Sequence, residues 1–273
     1  MVVRIERRDR NIEEMRNAYL EYFFDEEPYT IDADTMQALG LNMYSKSMTP
    51  KKMLYNAFCC SEYDDAVVMH PQQIECLNYL MKGENLLISA PTSFGKTFVA
   101  LEYMSRKEFD NVVFVVPTLA LMNELFVKIK NKFGKKYNII QNGYENVAEK
   151  NIYIIVPERA DISLLSKIKD IDLLVFDEIY KLQRKRDKDK EDKRIISLNR
   201  GYFELVNRSK QVLLLGPFIK DITFERTKLN ENITKYITDY SPVYVKINFR
   251  NDKDEFIMDE IEEERSKLVY FNS

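Results

Sequence analysis

The sequence predicts an α/β domain over residues 65–249, built around a mostly parallel central sheet, with a helical extension before it. Short runs rich in Val, Ile and Leu alternate along the chain with helical stretches. These runs lack strict polar alternation, which is typical of strands buried on both faces of a parallel sheet. A loop containing glycine and lysine directly follows the first run. The predicted strands are Asn85–Ser89, Val112–Val116, Ile152–Val156, Leu173–Phe176 and Val212–Leu215.

Residues 1–64 are predicted to form the helical extension. Apolar residues in Asn11–Phe24 recur close to helical spacing, and Asn11 with Glu14 resembles a capping box. A second helix is expected after Pro50, because proline is favoured at the first position of a helix. The extension either packs against the domain or docks a protein partner, and the pattern alone leaves both open.

Composition excludes several classes of function. The chain is 45% hydrophobic and 31% charged, which is ordinary for a soluble globular protein. Without an apolar run of ~18 residues or a signal-peptide pattern, we expect a cytoplasmic protein without a membrane span. Three cysteines and one histidine lack the spacing of a zinc site or a catalytic triad. His70 is therefore expected to be structural, and a net charge of −3 restricts nucleic-acid binding to a local surface.

The loop after the first strand has the pattern of a phosphate-binding Walker A loop, with alanine in place of its first glycine. Its backbone N–H groups and the following helix N-terminus would cradle the phosphates of ATP. Lys96 would contact the β- and γ-phosphates, and the Thr97 hydroxyl would bind Mg²⁺. The predicted loop residues are Ala90, Pro91, Thr92, Ser93, Phe94, Gly95, Lys96 and Thr97.

An acidic pair, Asp177 and Glu178, follows the Leu173–Phe176 strand. Ligands of open parallel sheets bind at the carboxyl ends of the strands, so the pair is expected beside the phosphate loop. Asp177 would hold Mg²⁺, and Glu178 would orient and deprotonate the attacking water. Together the two motifs predict hydrolysis of ATP.

These motifs, in this order, resemble the superfamily 2 DExH-box helicases, in the branch of archaeal repair helicases and exosome-associated RNA helicases. The resemblance implies a RecA-like motor domain. It also implies that Gln73, 23 positions before Lys96, reads the adenine edge as the glutamine of the family's Q motif, with Gln72 as the alternative. Pro117 and Thr118 resemble motif Ia, and Pro157, Glu158 and Arg159 resemble motif Ib. Both motifs imply contacts to nucleic-acid phosphates.

Two positions depart from the family pattern. Gly216, Pro217 and Phe218 stand where the family usually has Ser-Ala-Thr, so the hydroxyls that link the acidic pair to the nucleic-acid side are absent. Tyr180 stands where the DExH histidine would be, and its phenol could still hydrogen-bond to a neighbouring motif. The departures put the coupling of hydrolysis to strand separation in question.

Residues 250–273 are expected to be a connector and the first strand of a second RecA-like domain. The resemblance implies that this domain, in cis or in trans, supplies the arginine finger, so the chain alone is expected to hydrolyse ATP weakly. The leading interpretation is an ATP-dependent DNA or RNA helicase or translocase motor. The alternatives are a translocase that does not unwind and a nucleotide-gated module that binds a protein partner.

Overall fold

The computed structural model describes residues 50–156, 162–182, 204–217, 219, 229 and 232–240. All of them belong to one compact unit, Met1–Pro242. Several predictions lie outside the described residues: the Asn11–Phe24 helix, motif Ib at Pro157, Glu158 and Arg159, Phe218, and the connector and strand at residues 250–273.

Helices and strands alternate along the described chain. The helices are α1 (Pro50–Cys59), α2 (Pro71–Met81), α3 (Lys96–Arg106), α4 (Leu119–Phe133) and α5 (Ile162–Lys167), with 3₁₀ turns at Thr92–Phe94 and Ile179–Leu182. The strands are β1 (Leu86–Ser89), β2 (Asn111–Val115), β3 (Asn138–Ile140), β4 (Asn151–Ile155), β5 (Ile171–Phe176), β6 (Ser209–Gly216) and β7 (Thr234–Ile237). Among the described helices, none is long and apolar enough to cross a bilayer.

Within the described residues, the strands form one seven-stranded sheet in the order β3-β4-β2-β5-β6-β1-β7. Each pair of neighbouring strands is parallel. The predicted α/β fold with a mostly parallel sheet is therefore confirmed. Because parallel strands share a direction, the loops that follow their carboxyl ends all emerge at one edge of the sheet.

The five predicted strands are present, with bounds shifted or extended by a few residues. The sequence interpretation missed β3 and β7. Both lie at the outer edges of the sheet, where each pairs with a single neighbour, and they contain only three and four residues. In β7 half-buried and exposed side chains alternate, unlike the continuous burial of β1. Short edge strands therefore carried too weak an apolar signal.

Two apolar layers cover the sheet. Side chains of α2, α3 and α4 pack on one face, where Leu86 and Ile88 of β1 point. Leu87 points to the other face, into a layer that contains Leu164, Leu205 and Val206. Successive residues of β1 thus enter different cores, which explains why its sequence is continuously apolar.

A buried carboxylate joins the segment after α1 to α3. Glu102 of α3 is fully buried and accepts hydrogen bonds from the Ser61 hydroxyl and the backbone N–H groups of Glu62 and Tyr63. The Arg106 guanidinium also donates to it, at 2.6 Å. Burial alone would raise the pKa of Glu102, but these donors outweigh it and hold the pKa below its usual value. The charged carboxylate therefore fixes this segment against α3.

Candidate functional site

The sheet order sets the sequence of loops along the carboxyl edge. Moving across the sheet, the loops after β4, β2, β5, β6 and β1 follow one another. The acidic pair after β5 is separated from the loop after β1 only by the turn after β6. On its other side lies the loop after β2, which contains Pro117 and Thr118. The edge thus brings the two predicted halves of the site, for nucleotide and for nucleic acid, into one row.

The loop after β1 turns sharply into α3. Ala90 is buried, and its N–H donates to the carbonyl of Gly216 at 3.1 Å. A 3₁₀ turn leads to Gly95, whose φ of 81° lies in the left-handed region. A Cβ at Gly95 would lie 2.8 Å from the Gln73 Nε2 atom. The left-handed backbone conformation therefore favours glycine here, and a larger residue would also displace the Gln73 amide.

Lys96 is the first residue of α3 and is 8% exposed. Its Nζ donates to two carbonyls of its own loop, those of Ala90 at 2.7 Å and Pro91 at 2.8 Å. Burial lowers the pKa of Lys96, while the negative charges of Asp177 and Glu178 act in the opposite direction. The acidic pair is thus close enough to influence Lys96 electrostatically. Thr97, the next residue, is half-buried in the first turn of α3.

Gln73 contacts the loop directly. Its Nε2 donates to the Phe94 carbonyl at 2.9 Å, and its Oε1 accepts the backbone N–H of His70 at 3.3 Å. Each group of the amide keeps capacity for one further hydrogen bond, so contact with an adenine edge stays compatible with these bonds. Gln73 is 7% exposed, and Gln72 beside it is half-buried.

His70 lies against the same carbonyl, which the sequence interpretation missed. Its ring is 5% exposed, its Nε2 lies 3.3 Å from the Phe94 oxygen, and its Nδ1 accepts the Gln73 N–H at the start of α2. The expectation of a structural histidine did not include contact with the loop. The position of His70 directly before Pro71 could have predicted its role as a helix cap. Its contact with Phe94, 24 residues away, had no signal in the sequence.

The acidic pair continues β5 as a tight turn. The Asp177 N–H donates to the Val115 carbonyl at 2.9 Å, and the Glu178 N–H donates to the Asp177 carboxylate at 2.9 Å. Glu178 has a φ of 53°, which side-chain-bearing residues adopt at a cost of about 1–2 kcal/mol. Such strain clusters at functional sites. Burial is the largest cause that raises the pKa of Tyr180. The negative charge of Glu178 and a hydrogen bond with Glu178 raise it further.

The turn after β6 contacts the acidic turn through apolar atoms. A Cβ at Gly216 would lie 2.5 Å from Ile219 Cδ1 and 3.3 Å from Ile179 Cγ2. The missing side chain therefore leaves room for isoleucines from both turns. The Ser89 hydroxyl also accepts the Ile219 N–H at 2.6 Å, which ties this turn to the end of β1. This turn therefore has an apolar contact where the family has hydroxyls. The hydroxyl that does contact it belongs to Ser89, on the neighbouring strand.

The loop after β2 carries the first residues predicted to contact nucleic acid. Pro117 is buried, and Thr118 caps α4 by accepting the Leu121 N–H on its Oγ1 at 3.3 Å. This bond uses one lone pair, so the Thr118 O–H can still donate to another group. Val156, which precedes the motif Ib positions, is buried at the end of β4.

The residues present fit a nucleotide with a magnesium ion. The described residues contain no group of three or more His, Cys, Asp or Glu side chains that could hold a metal by themselves. Magnesium at phosphate sites needs few protein ligands, because phosphate oxygens and waters complete its octahedron. The Thr97 hydroxyl and the Asp177 carboxylate are oxygen donors of the kind that Mg²⁺ prefers.

Comparisons with known proteins identify the family. The family model described as DEAD/DEAH box helicase matches residues 70–216, more than half of the chain. The chain is 31% identical over 227 residues to a protein of Escherichia coli K12 described as anti-bacteriophage protein B. That match covers 80% of this chain and 31% of the relative.

A second relative is the ATP-dependent DNA helicase Hel308 of Pyrococcus horikoshii, 30% identical in an alignment 233 residues long that covers 75% of this chain and 31% of that protein. The Hef helicase domain of Pyrococcus furiosus superposes with a TM-score of 0.40 at 20% identity, covering 60% of this chain and 37% of that chain. The chain spans about a third of the length of both curated relatives. On the family match over more than half of its length, the chain belongs to the DEAD/DEAH box helicase family.

Proposed function

We propose that this chain is a motor domain that binds ATP with Mg²⁺ and couples its hydrolysis to movement along, or unwinding of, a nucleic acid. One observation carries the proposal. Lys96 is buried at the N-terminus of α3, and the acidic pair Asp177 and Glu178 follows a strand two places away along the same carboxyl edge of the sheet. A buried cation at a helix N-terminus beside two carboxylates suits a phosphate chain bound with a divalent ion.

ATP would be held by the loop from Ala90 to Thr97. The backbone N–H groups of the loop and the first turn of α3 would bind the β-phosphate. Lys96 would exchange its bonds to the Ala90 and Pro91 carbonyls for the β- and γ-phosphates. Gln73 would use its remaining hydrogen-bonding capacity to recognise the adenine edge.

Mg²⁺ would be held by Thr97 and, through water, by Asp177. A bound magnesium ion would neutralise the charge that develops on the phosphate oxygens. Glu178 would accept the proton of the attacking water, since a carboxylate within hydrogen-bonding distance of that water can serve as general base. The Asp177 carboxylate accepts the Glu178 N–H, so the two acidic residues are held in a fixed relation to each other.

The nucleic acid would bind at the loops after β2 and β4. The free donor capacity of the Thr118 hydroxyl suits a phosphate oxygen. Pro117 fixes the approach to this cap, and Pro157, Glu158 and Arg159 would extend the track. These contacts are to the backbone, so they leave DNA and RNA as alternative substrates. A second RecA-like domain, in cis or in trans, would complete the motor.

The relatives suggest a setting for this motor. The Escherichia coli relative is described as an anti-bacteriophage protein, and the Pyrococcus horikoshii relative as a DNA helicase. The second description favours DNA as the track, and the first favours a role in defence against bacteriophage. To test that role, the wild-type chain and the Lys96→Ala variant would each be expressed in a phage-sensitive host, and their plaque counts compared.

The primary test is binding of a fluorescent ATP analogue with Mg²⁺ to the wild-type chain and to Lys96→Ala. We expect the variant to lose at least ~10-fold in affinity, because a charge-assisted contact to phosphate is worth about 1.5–3 kcal/mol. Hydrolysis would be measured in parallel with single-stranded DNA and with RNA, and stimulation by one polymer would identify the track. Equal affinity in the two proteins would refute the assignment of the nucleotide site.

A translocase that does not separate strands is the second candidate. The specific observation in its favour is the turn after β6, where apolar contacts around Gly216 stand in place of the family's hydroxyls. A strand-displacement assay beside a triplex-displacement assay distinguishes the two functions. A helicase displaces a duplex strand, whereas a translocase displaces only the third strand.

A further inference from the structure

His70 is held against the phosphate loop on three sides. Its Nε2 lies 3.3 Å from the Phe94 carbonyl oxygen, which also accepts Gln73 Nε2 at 2.9 Å. The Phe94 ring meets the imidazole edge-on, with centroids 4.9 Å apart, and the Tyr240 ring lies at 4.7 Å. At 5% exposure the ring has little freedom to turn away.

The hydrogen bonds define which ring nitrogen carries the proton. Nδ1 accepts the Gln73 N–H as the cap of α2, so in the neutral ring the proton resides on Nε2. Nε2 therefore donates to the Phe94 carbonyl. The Gln72 Oε1 atom lies 3.2 Å from Nδ1, and with the proton on Nε2 the amide would have to be turned so that its NH₂ group faces Nδ1 instead. The neutral ring thus caps α2 with one nitrogen and binds the loop with the other.

The direction of the Phe94 carbonyl determines that of the next N–H. In a planar trans peptide the carbonyl oxygen and the following N–H point to opposite sides. With the Phe94 oxygen held toward α2 by two donors, the Gly95 N–H faces the other way, and Gly95, with its φ of 81°, is the residue that caps the start of α3. N–H groups at this point of a phosphate loop are those that bind phosphate oxygens.

We propose that His70 is a positioning residue of the nucleotide site, which orients the Phe94–Gly95 peptide for the phosphates by donating from Nε2 to the Phe94 carbonyl. This inference rests on the proposed function. It assigns to His70 a part in affinity for the phosphate chain, which is separate from its part in capping α2. The two parts use different nitrogens, and that separation makes the inference testable.

Two substitutions separate these parts. His70→Asn places an amide near the position of Nδ1, which keeps the cap but is too short to reach Phe94. His70→Gln places an NH₂ group near the position of Nε2, which keeps the contact with Phe94 and loses the cap. We expect His70→Asn to weaken ADP and ATP-analogue binding about 10-fold, as loss of one hydrogen bond allows, with little change in Tm. His70→Gln should lower Tm and keep affinity within about 2-fold.

Ile168→Val is the matched control, because Ile168 is buried in the apolar layer on the other face of the sheet, not in the layer that contains Leu77 and Phe94. It should lower Tm and leave nucleotide affinity unchanged. Affinity losses that are equal in the Asn and Gln variants, or confined to the Gln variant, would overturn the inference. Lys96→Ala, measured in the same titration, separates the two proposals: wild-type binding by Lys96→Ala counts against the nucleotide site itself. Loss in Lys96→Ala with wild-type affinity in His70→Asn counts against His70 alone.

Discussion

The loop before α3 and the turn after β6 are neighbours on the same sheet edge, but different forces hold them. Polar contacts fix the loop. Lys96 donates to two loop carbonyls, and His70 and Gln73 converge on a third, that of Phe94. Apolar packing of Ile219 and Ile179 fills the space beside Gly216 in the turn. The difference matches what each segment must do in the proposed motor.

Directional contacts suit a loop that must present N–H groups to phosphates, because hydrogen bonds fix orientation as well as distance. Packing is non-directional and suits a turn that has to stay beside the acidic pair while its partners shift. Ser89 joins the two segments, since it precedes Ala90 in the chain and accepts the Ile219 N–H. Each prediction below perturbs one side of this comparison.

The largest effect is expected at the acidic turn between the two segments. Glu178→Gln keeps the size of the side chain and removes the proposed base, so hydrolysis should fall by ~10²–10⁴-fold. Nucleotide affinity should stay near the wild-type value, because the contacts of the loop are untouched. Steady-state hydrolysis and equilibrium nucleotide binding would be measured on the same preparations. A variant that hydrolyses ATP at the wild-type rate would exclude Glu178 as the base.

The stability of the fold should depend on pH through His70, which contacts the loop before α3. Burial, only partly offset by hydrogen bonds with Phe94 and Gln72, lowers the pKa of His70 from 6.5 to about 4. The unfolded chain therefore takes up the proton first, so the neutral ring stabilises the fold above pH 6.5 and this contribution is lost as the pH falls toward 4. The loss amounts to about 3 kcal/mol over that interval.

Chemical unfolding of wild type and His70→Asn across this pH range would measure it. The groups that contact the ring are the Phe94 and Tyr240 rings, the Phe94 carbonyl, the Gln73 N–H and the Gln72 amide, none of which titrates between pH 4 and 6.5. The carboxylates elsewhere are common to both proteins. The wild type should lose about 3 kcal/mol of unfolding free energy relative to His70→Asn as the pH falls from 6.5 toward 4, and a difference independent of pH would contradict the assignment of a depressed pKa.

The two segments also differ in how far the sequence predicted them. The loop follows a local pattern from Ala90 to Thr97, and the apolar runs predicted its strand and the other buried strands. The contacts of His70 with Phe94 and of Ser89 with Ile219 join residues 24 and 130 positions apart. No local periodicity encodes such pairs, because they arise only when β1, α2 and β6 are assembled. The sequence showed that Gly216 departs from the family pattern. It could not show that two isoleucines pack beside this glycine.

The hydrogen bond between Ser89 and Ile219, which joins the two segments, can be removed by substituting Ser89. Its side chain is almost fully buried, and Ser89→Ala would leave the buried Ile219 N–H without that acceptor. An unsatisfied buried donor costs about 1–3 kcal/mol, so Tm should fall accordingly. Ser105→Ala is the control, since the Ser105 hydroxyl bonds the Leu101 carbonyl within α3 and lies away from both segments. Equal stability in the two variants would show that Ser89 does not carry the link.

The smallest effect is expected where the turn is returned to the family's residue. Gly216→Ser would place a Cβ 2.5 Å from Ile219 Cδ1, but that atom is the end of a flexible side chain and can rotate away. Overpacking of this kind costs about 1 kcal/mol when the neighbours can adjust. If Ile219 causes the cost, Ile219→Val in the Gly216→Ser background should recover stability, because the crowding Cδ1 is gone. Urea unfolding of the four members of this double-mutant cycle would measure the coupling. Additive effects would mean that Ile219 does not pack into the space beside Gly216, and the apolar account of this turn would then fail.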